Sequence, residues 1–257
     1  MAQALFATNE VRTRISTEEW QVRVDLAAAY RLVDHYGWTD MIFTHLSARV
    51  PGPEHHFLIN PYGLMFDEVT ASNLVKIDLD GNIVMSSGYE VNPAGFCIHS
   101  AIHMAREDAR AVMHLHTDDG VAVSAMAAGL LPITQTAMVI QDEVAYHEYE
   151  GVALDLGERE RLVRDIGDKK LMILRNHGTL AVGTTVSDCF LSLYTMERAC
   201  SMQVRAMVGG ALHQPSAQSL ETSRRQGKML MASGKLDQLA WPALLRMLDR
   251  NDASFRN

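Results

Sequence analysis

His114 and His116 are separated by one residue within Ala111-Val112-Met113-His114-Leu115-His116, an apolar run of strand length. Side chains of a strand alternate between its faces, so this spacing sends both imidazoles to the same side. Two imidazoles on one face suit chelation of zinc, iron or manganese and need one or two more donors to complete a site. A His-x-His pair on its own is a weak signal, so the rest of the donor set decides. His177 is the natural third donor. It follows Leu171-Met172-Ile173-Leu174, which reads as a buried strand, and precedes Gly178, which lets the backbone turn tightly so that a loop residue reaches back over the sheet edge.

Other elements must position these residues. Ser16 and Glu19 have the spacing of a capping box, and Trp20, Val24, Ala27, Ala28 and Leu32 recur at helical spacing until Gly37, which predicts a helix with one face on a sheet. Between residues 41 and 83, short β-rich segments alternate with turns at Val50-Pro51-Gly52-Pro53, Asn60-Pro61-Tyr62-Gly63 and Asp80-Gly81-Asn82, the pattern of an antiparallel sheet. A helix over 94–106 leads into the histidine strand. A further strand is expected over 179–182, and Ser187 opens a long helix reaching Met207. Gly209-Gly210 begins a connector, followed by helices around 221–233 and 242–250, the second with Trp241, Leu244, Leu245 and Leu248 on one side. The chain thus divides into an arm (1–15), a metal-binding domain (16–207), and a linker with C-terminal helices (208–257) that pack on the domain or on a neighbouring subunit.

The whole chain has 257 residues, 47% hydrophobic and 21% charged, enough for one sizeable α/β domain. A net charge of -8 argues against a nucleic-acid surface, and no apolar stretch approaches the length needed to span a bilayer. Cys97, Cys189 and Cys200 are odd in number and sit in apolar surroundings, so they read as reduced thiols. A cytoplasmic protein with a small-molecule substrate and no nucleic-acid or membrane partner is expected.

Several blocks carry a resemblance. Residues 99–117, from His99-Ser100-Ala101-Ile102-His103 to His114-Leu115-His116-Thr117, with Leu174-Arg175-Asn176-His177-Gly178-Thr179-Leu180, resemble the class II aldolase/adducin head domain. Phe43-Thr44-His45-Leu46-Ser47-Ala48-Arg49 and Leu58-Ile59-Asn60-Pro61-Tyr62-Gly63 resemble that family's first two blocks in order and spacing, so the likeness runs from about Ser16 to Met207. It implies a three-layer α-β-α structure with a central, mostly antiparallel sheet of nine strands, assembled as a homotetramer with sites between subunits. It also implies that His114, His116 and His177 hold the metal. In the family's sugar-phosphate aldolases that metal is zinc, which chelates a hydroxy-ketone and stabilises the enediolate.

The departures from the family pattern bear on function. The Glu that acts as acid/base in the aldolases is replaced by Gly95, the two phosphate-binding serines by Pro93 and Ala94, the glycine-asparagine pair of the first block by Thr44-His45, and the proton-donating tyrosine by Thr136. Asn92-Pro93-Ala94-Gly95-Phe96 looks more like the adducin side of the family and its bacterial relatives. The expected activity is divalent-metal-dependent retro-aldol cleavage or decarboxylation of a non-phosphorylated oxo, hydroxy or aromatic acid. Two alternatives stand beside it, a non-catalytic adducin-like interaction module with a structural metal, and iron-dependent oxidative cleavage. His45, Glu143 and Tyr146 are the candidate proton-transfer residues. His45 has a structural turn as its other reading, and Glu143 and Tyr146 have surface roles. Asn60, Gly63 and Arg175 are the candidate substrate contacts, Arg175 because a guanidinium suits a carboxylate. Arg49 is read as a structural salt bridge, and His99 and His103 as a pair bracing their helix.

Overall fold

The strand sequences are short and apolar on both sides of the pleat, which requires cover on both faces of the sheet. In the computed structural model, which describes residues 8–151 and 157–257, that cover is a layer of helices on each side. The first half of the chain runs α1 (Thr8–Arg12), α2 (Thr17–His35), β1 (His45–Arg49), β2 (Phe57–Ile59), β3 (Val75–Ile77), α3 (Pro93–Ala105) and β4 (Ala111–Leu115). It continues with α4 (Asp118–Ser124), α5 (Gln135–Ile140), β5 (Val144–His147), α6 (Glu158–Ile166), β6 (Leu171–Leu174), β7 (Gly178–Gly183), α7 (Val186–Met207), α8 (Ala217–Ala232) and α9 (Lys235–Asn251).

The sheet has seven strands in the order β3-β2-β1-β4-β7-β6-β5. All neighbours are antiparallel except β5 and β6. The nine strands implied by resemblance are therefore corrected to seven among the described residues. The segments around Tyr62, Ile83 and Glu90 pair only through the isolated bridges Tyr62–Glu90 and Ile77–Ile83, too little for a ladder.

Alternation along the strands divides the core. Leu46, Ala48, Met113, Leu115, Ile173 and Ala181 pack with α2 and α7 on one face, while Val112, Met172, Leu180 and Val182 pack with α3 and α6 on the other. His45 and Ser47 alternate with Leu46 and Ala48, and His114 with Met113 and Leu115, so these polar groups share the α3 face. Cross-strand register sets His45 opposite His114.

α2 carries only half of the expected capping box. Ser16 Oγ accepts from Glu19 N (3.1 Å), but the Glu19 carboxylate turns inward to Arg23 Nε (3.0 Å) and Lys76 Nζ (2.8 Å) instead of returning to the cap. Arg23 is wholly buried, and an unpaired guanidinium there would be far costlier than an unfinished cap. Thr185 rather than Ser187 caps α7, accepting from Asp188 N.

The C-terminal helices are longer than their sequence pattern suggests. α9 begins seven residues before Pro242, after Gly234 in a left-handed conformation. Its Trp241 and Leu248 join the core beside α2 and α7, and Trp241 Nε1 donates to Asp25 Oδ1 (3.0 Å). The final turn, Ala253–Arg256, buries Phe255 and ties the backbone at Ala71 and Ser72 to Phe255 and Asn257. All three cysteines are free and buried, and no helix among the described residues is long and apolar enough to cross a membrane.

Candidate metal centre

His114 leaves β4 on its α3 face, and His116 is the first residue beyond that strand. Thr117 immediately caps α4, its hydroxyl accepting from Gly120 N, so the chain is anchored directly behind His116. His177 ends the turn Arg175-Asn176-His177 joining β6 to β7. The left-handed residue of that turn is Asn176 (φ 55°), not Gly178 as expected. Gly178 instead provides room. A Cβ there would stand 2.3 Å from Leu115 O and 3.1 Å from His116 Cδ2.

These placements bring one ring nitrogen from each histidine within 4.8 Å of the others, with His114 buried and the other two half-buried. His114 Nε2 and His116 Nε2 are 2.9 Å apart. Their protonation follows from their partners. The Thr179 carbonyl can only accept, so His114 Nδ1 donates to it (2.9 Å). His116 Nδ1 likewise donates to Asp40 Oδ2 (2.9 Å). His114 therefore turns a bare Nε2 toward the Nε2 of His116, and both face the ring of His177. Three imidazole nitrogens converging within 4.8 Å, two of their rings oriented by an acceptor on the far nitrogen, fit a divalent cation. Burial, with His177, His116 and His45 nearby, keeps His114 well below the usual histidine range, and burial with His116 and His147 holds His177 at about 4. The ring nitrogens that His114 and His177 offer a metal are thus unprotonated near neutral pH.

Beside His116 opens a cleft of about 480 Å³ whose lining includes Tyr36, Trp38, Asp118, Asp119, Glu197, Arg198 and Arg205. Glu197, on α7, is buried and accepts from the hydroxyls of Thr117 (2.5 Å) and Thr179, the residues just after His116 and two after His177. Burial pushes its carboxyl up to about 7 against the pull of the two hydroxyls.

The other expected site residues are placed differently. His45 is a buried strand residue, not a turn residue, and its ring lies beside His114, 5.3 Å between centroids. Asn60 is buried, its Oδ1 within 2.9 Å of Tyr30 Oη, which turns it into the core. Gly63 provides a left-handed turn (φ 99°) after β2. Tyr146 accepts from Leu130 N (3.0 Å), and its ring carries the Arg175 guanidinium at 4.3 Å. Arg175 also donates to Met126 O (2.8 Å), so although it borders a narrow crevice with His177, its charge is held by structure. Glu143 lies in a single helical turn before β5. Asn60, Gly63, Glu143 and Tyr146 neither hydrogen-bond to the triad nor stack on it. Arg49 forms no close ion pair among the described residues, donating instead to His103 O and to His55.

Sequence reasoning missed Asp40 and Glu197. Asp40 lies in an irregular loop with no periodicity to flag it. Glu197 could have been noticed as the acid within the stripe Leu193, Met196, Glu197, Cys200, where helical spacing otherwise places core residues.

Comparison with known proteins identifies the family and the fold. Residues 24–204 match the family described as Class II Aldolase and Adducin N-terminal domain. A Caulobacter vibrioides protein whose name places it with the class 2 aldolase proteins is 55% identical over 258 residues, 99% of each chain. Alpha-adducin of Rattus norvegicus is 42% identical over 242 residues, which cover 89% of this chain and 33% of adducin. The crystal structure of an aldolase II superfamily protein from Pseudomonas syringae superposes with a TM-score of 0.94 at 52% identity, covering 96% of this chain and all of that one. L-fuculose 1-phosphate aldolase from Glaciozyma antarctica superposes with a TM-score of 0.79 at 28% identity over 98% and 96% of the two chains.

Proposed function

The chain belongs to the class II aldolase and adducin N-terminal domain family, and from that premise we propose that it is a divalent-metal-dependent lyase. Its substrate is a non-phosphorylated oxo, hydroxy or aromatic acid, which it cleaves by a retro-aldol step or decarboxylates. The observation that carries this reading is the convergence of ring nitrogens from His114, His116 and His177 within 4.8 Å, with Thr179 O and Asp40 on the far nitrogens of the first two rings. His114, His116 and His177 would hold the metal, zinc foremost, with iron or manganese as alternatives. A metal bound there supplies a Lewis acid that polarises a substrate oxygen.

The remaining work falls to the chain's own groups. Asp40 and the Thr179 carbonyl orient two of the rings, and Glu197 anchors the backbone behind His116 and His177 through the threonines. Arg198 stands exposed on the cleft wall, where its guanidinium suits a substrate carboxylate. Pro93 and Ala94 in place of the family's phosphate-binding serines argue for a substrate without phosphate. We assign this chemistry to residues 16–207 acting within a homotetramer.

A second reading, a non-catalytic module in which the metal braces the fold, draws on the similarity to alpha-adducin and on Gly95. Elemental analysis of untagged protein purified without added metal, beside His116→Ala, tests the site. About one metal per chain, lost in the variant, supports it, whereas no metal in either protein sinks it. Aldehyde or carbon dioxide release from a panel of oxo and hydroxy acids by the metal-loaded protein then separates lyase from module. Iron in place of zinc would direct the search to oxygen-dependent cleavage.

A further inference from the structure

Three histidines outside the triad are joined in one buried chain. His45 Nδ1 lies 2.8 Å from His99 Nε2, and His99 Nδ1 lies 2.5 Å from Ser47 Oγ. Ser47 Oγ lies 2.8 Å from His103 Nε2, and His103 Nδ1 lies 2.9 Å from the Ala109 carbonyl. All four side chains are buried. None of the three rings contacts a carboxylate among the described residues, and Arg49 is the charged neighbour of His103. Buried imidazoles without an acidic partner are neutral. Burial accordingly holds His103 at about 4 and pushes His99 well below its usual range.

A neutral imidazole has one N–H, so the chain has a single consistent polarity. The Ala109 carbonyl only accepts, which puts the His103 proton on Nδ1 and leaves Nε2 bare. The Ser47 hydroxyl must therefore donate to His103 Nε2 and accept from His99 Nδ1–H. His99 Nε2 is then bare and accepts from His45 Nδ1–H. Reversing any link would set two lone pairs or two hydrogens against each other.

We propose that this chain fixes His45 with a bare Nε2, an obligate acceptor beside the triad for a hydroxyl group of the substrate, with His99, Ser47 and His103 as positioning residues. Nothing among the described residues hydrogen-bonds to that Nε2. A Cβ on Gly95 would stand 2.6 Å from His45 Cδ2 and 3.1 Å from its Nε2, so the imidazole borders the ground that a side chain at 95 would take. An acceptor there favours a ligand that presents an O–H over its oxo counterpart, which has no proton to give. The substrate half of this inference rests on the metal-dependent lyase reading, whereas the tautomer does not.

Imidazole 15N NMR of the full chain, with and without zinc, tests it. The expected spectrum has His45, His99 and His103 each protonated at Nδ1. Ser47→Ala leaves His103 as it is but releases His99 and His45 to a tautomer mixture, and Ser47→Thr, which keeps the hydroxyl, restores them. Protonated Nε2 on His45 in the wild type overturns the proposal, as does an unchanged His45 in Ser47→Ala. Should Ser47→Ala not fold, the wild-type spectrum decides. In zinc-loaded protein a 2-hydroxy acid should bind about tenfold more tightly than the 2-oxo acid of equal length, the worth of one hydrogen bond, and equal binding overturns the substrate half. Failure of the wild type to bind zinc would instead sink the lyase reading and leave the tautomer result standing.

Discussion

At Gly178 a missing side chain decides whether three rings can meet. The backbone there is not left-handed, so the requirement is one of space, with Leu115 O, His116 Cδ2 and His114 Cε1 all within 3.4 Å of a built Cβ. Gly178→Ala should push the β4 end and the β6–β7 turn apart, lowering stability by about 1–3 kcal/mol as overpacked sites do and weakening metal binding at least tenfold. Zinc titration and thermal unfolding of the purified variant check both effects, and wild-type affinity would refute the account. The triad itself was legible, because strand alternation and a histidine after a buried strand are one-dimensional patterns. The role of Gly178 was misread, since a close approach between separate segments leaves no local signature whereas a turn does. Asn60 and Arg175 owe their placement to the same kind of contact between separate segments. Their types suit a ligand, but Tyr30, Tyr146 and Met126 reach them first through the fold.

Among elements, Glu197 ties three together. It stands on α7 and holds Thr117 at the start of α4 and Thr179 on β7, so one carboxyl fixes the segments that present His116 and His177. Its folded pKa of about 7 lies above the ordinary 4.5. The folded state therefore binds its proton more tightly than the unfolded chain does. The stabilisation is complete below about pH 4.5 and is lost as pH rises through 7, by on the order of 3 kcal/mol. Glu197→Gln removes that dependence. Relative to the variant, wild-type melting temperature should fall between pH 5 and pH 8, and a constant difference would show that Glu197 does not carry a buried proton. The order and kind of the elements were readable because apolar periodicity alone indicates strand or helix. What periodicity could not give was the end of each element, as at α9, where Pro242 was taken for a start. Nor could it give the strand count, because whether a short segment forms a ladder depends on its neighbour.

For the molecule as a whole, the metal centre couples parts of the chain that meet only on folding. His114 and His116 come from β4 and its end, His177 from the turn between β6 and β7, and Asp40 from the loop before β1. An unfolded chain keeps the His-x-His pair but loses its third donor and the partners that orient the rings, so metal binds the folded state preferentially. That preference becomes stability by mass action, roughly 2.7 kcal/mol at a free metal concentration a hundred times Kd, which for a chain of this size is a rise of roughly 5–10 °C in melting temperature. The rise should follow the logarithm of free zinc above Kd, reverse on addition of a chelator, and vanish in His116→Ala. A module whose metal only braces the fold and a lyase whose metal does chemistry share this linkage, so its absence counts against both. If the rise is present, an acid that raises the melting temperature further at fixed free zinc, and leaves it unchanged without zinc, is binding with the metal, since ligands that share a folded-state site stabilise it jointly.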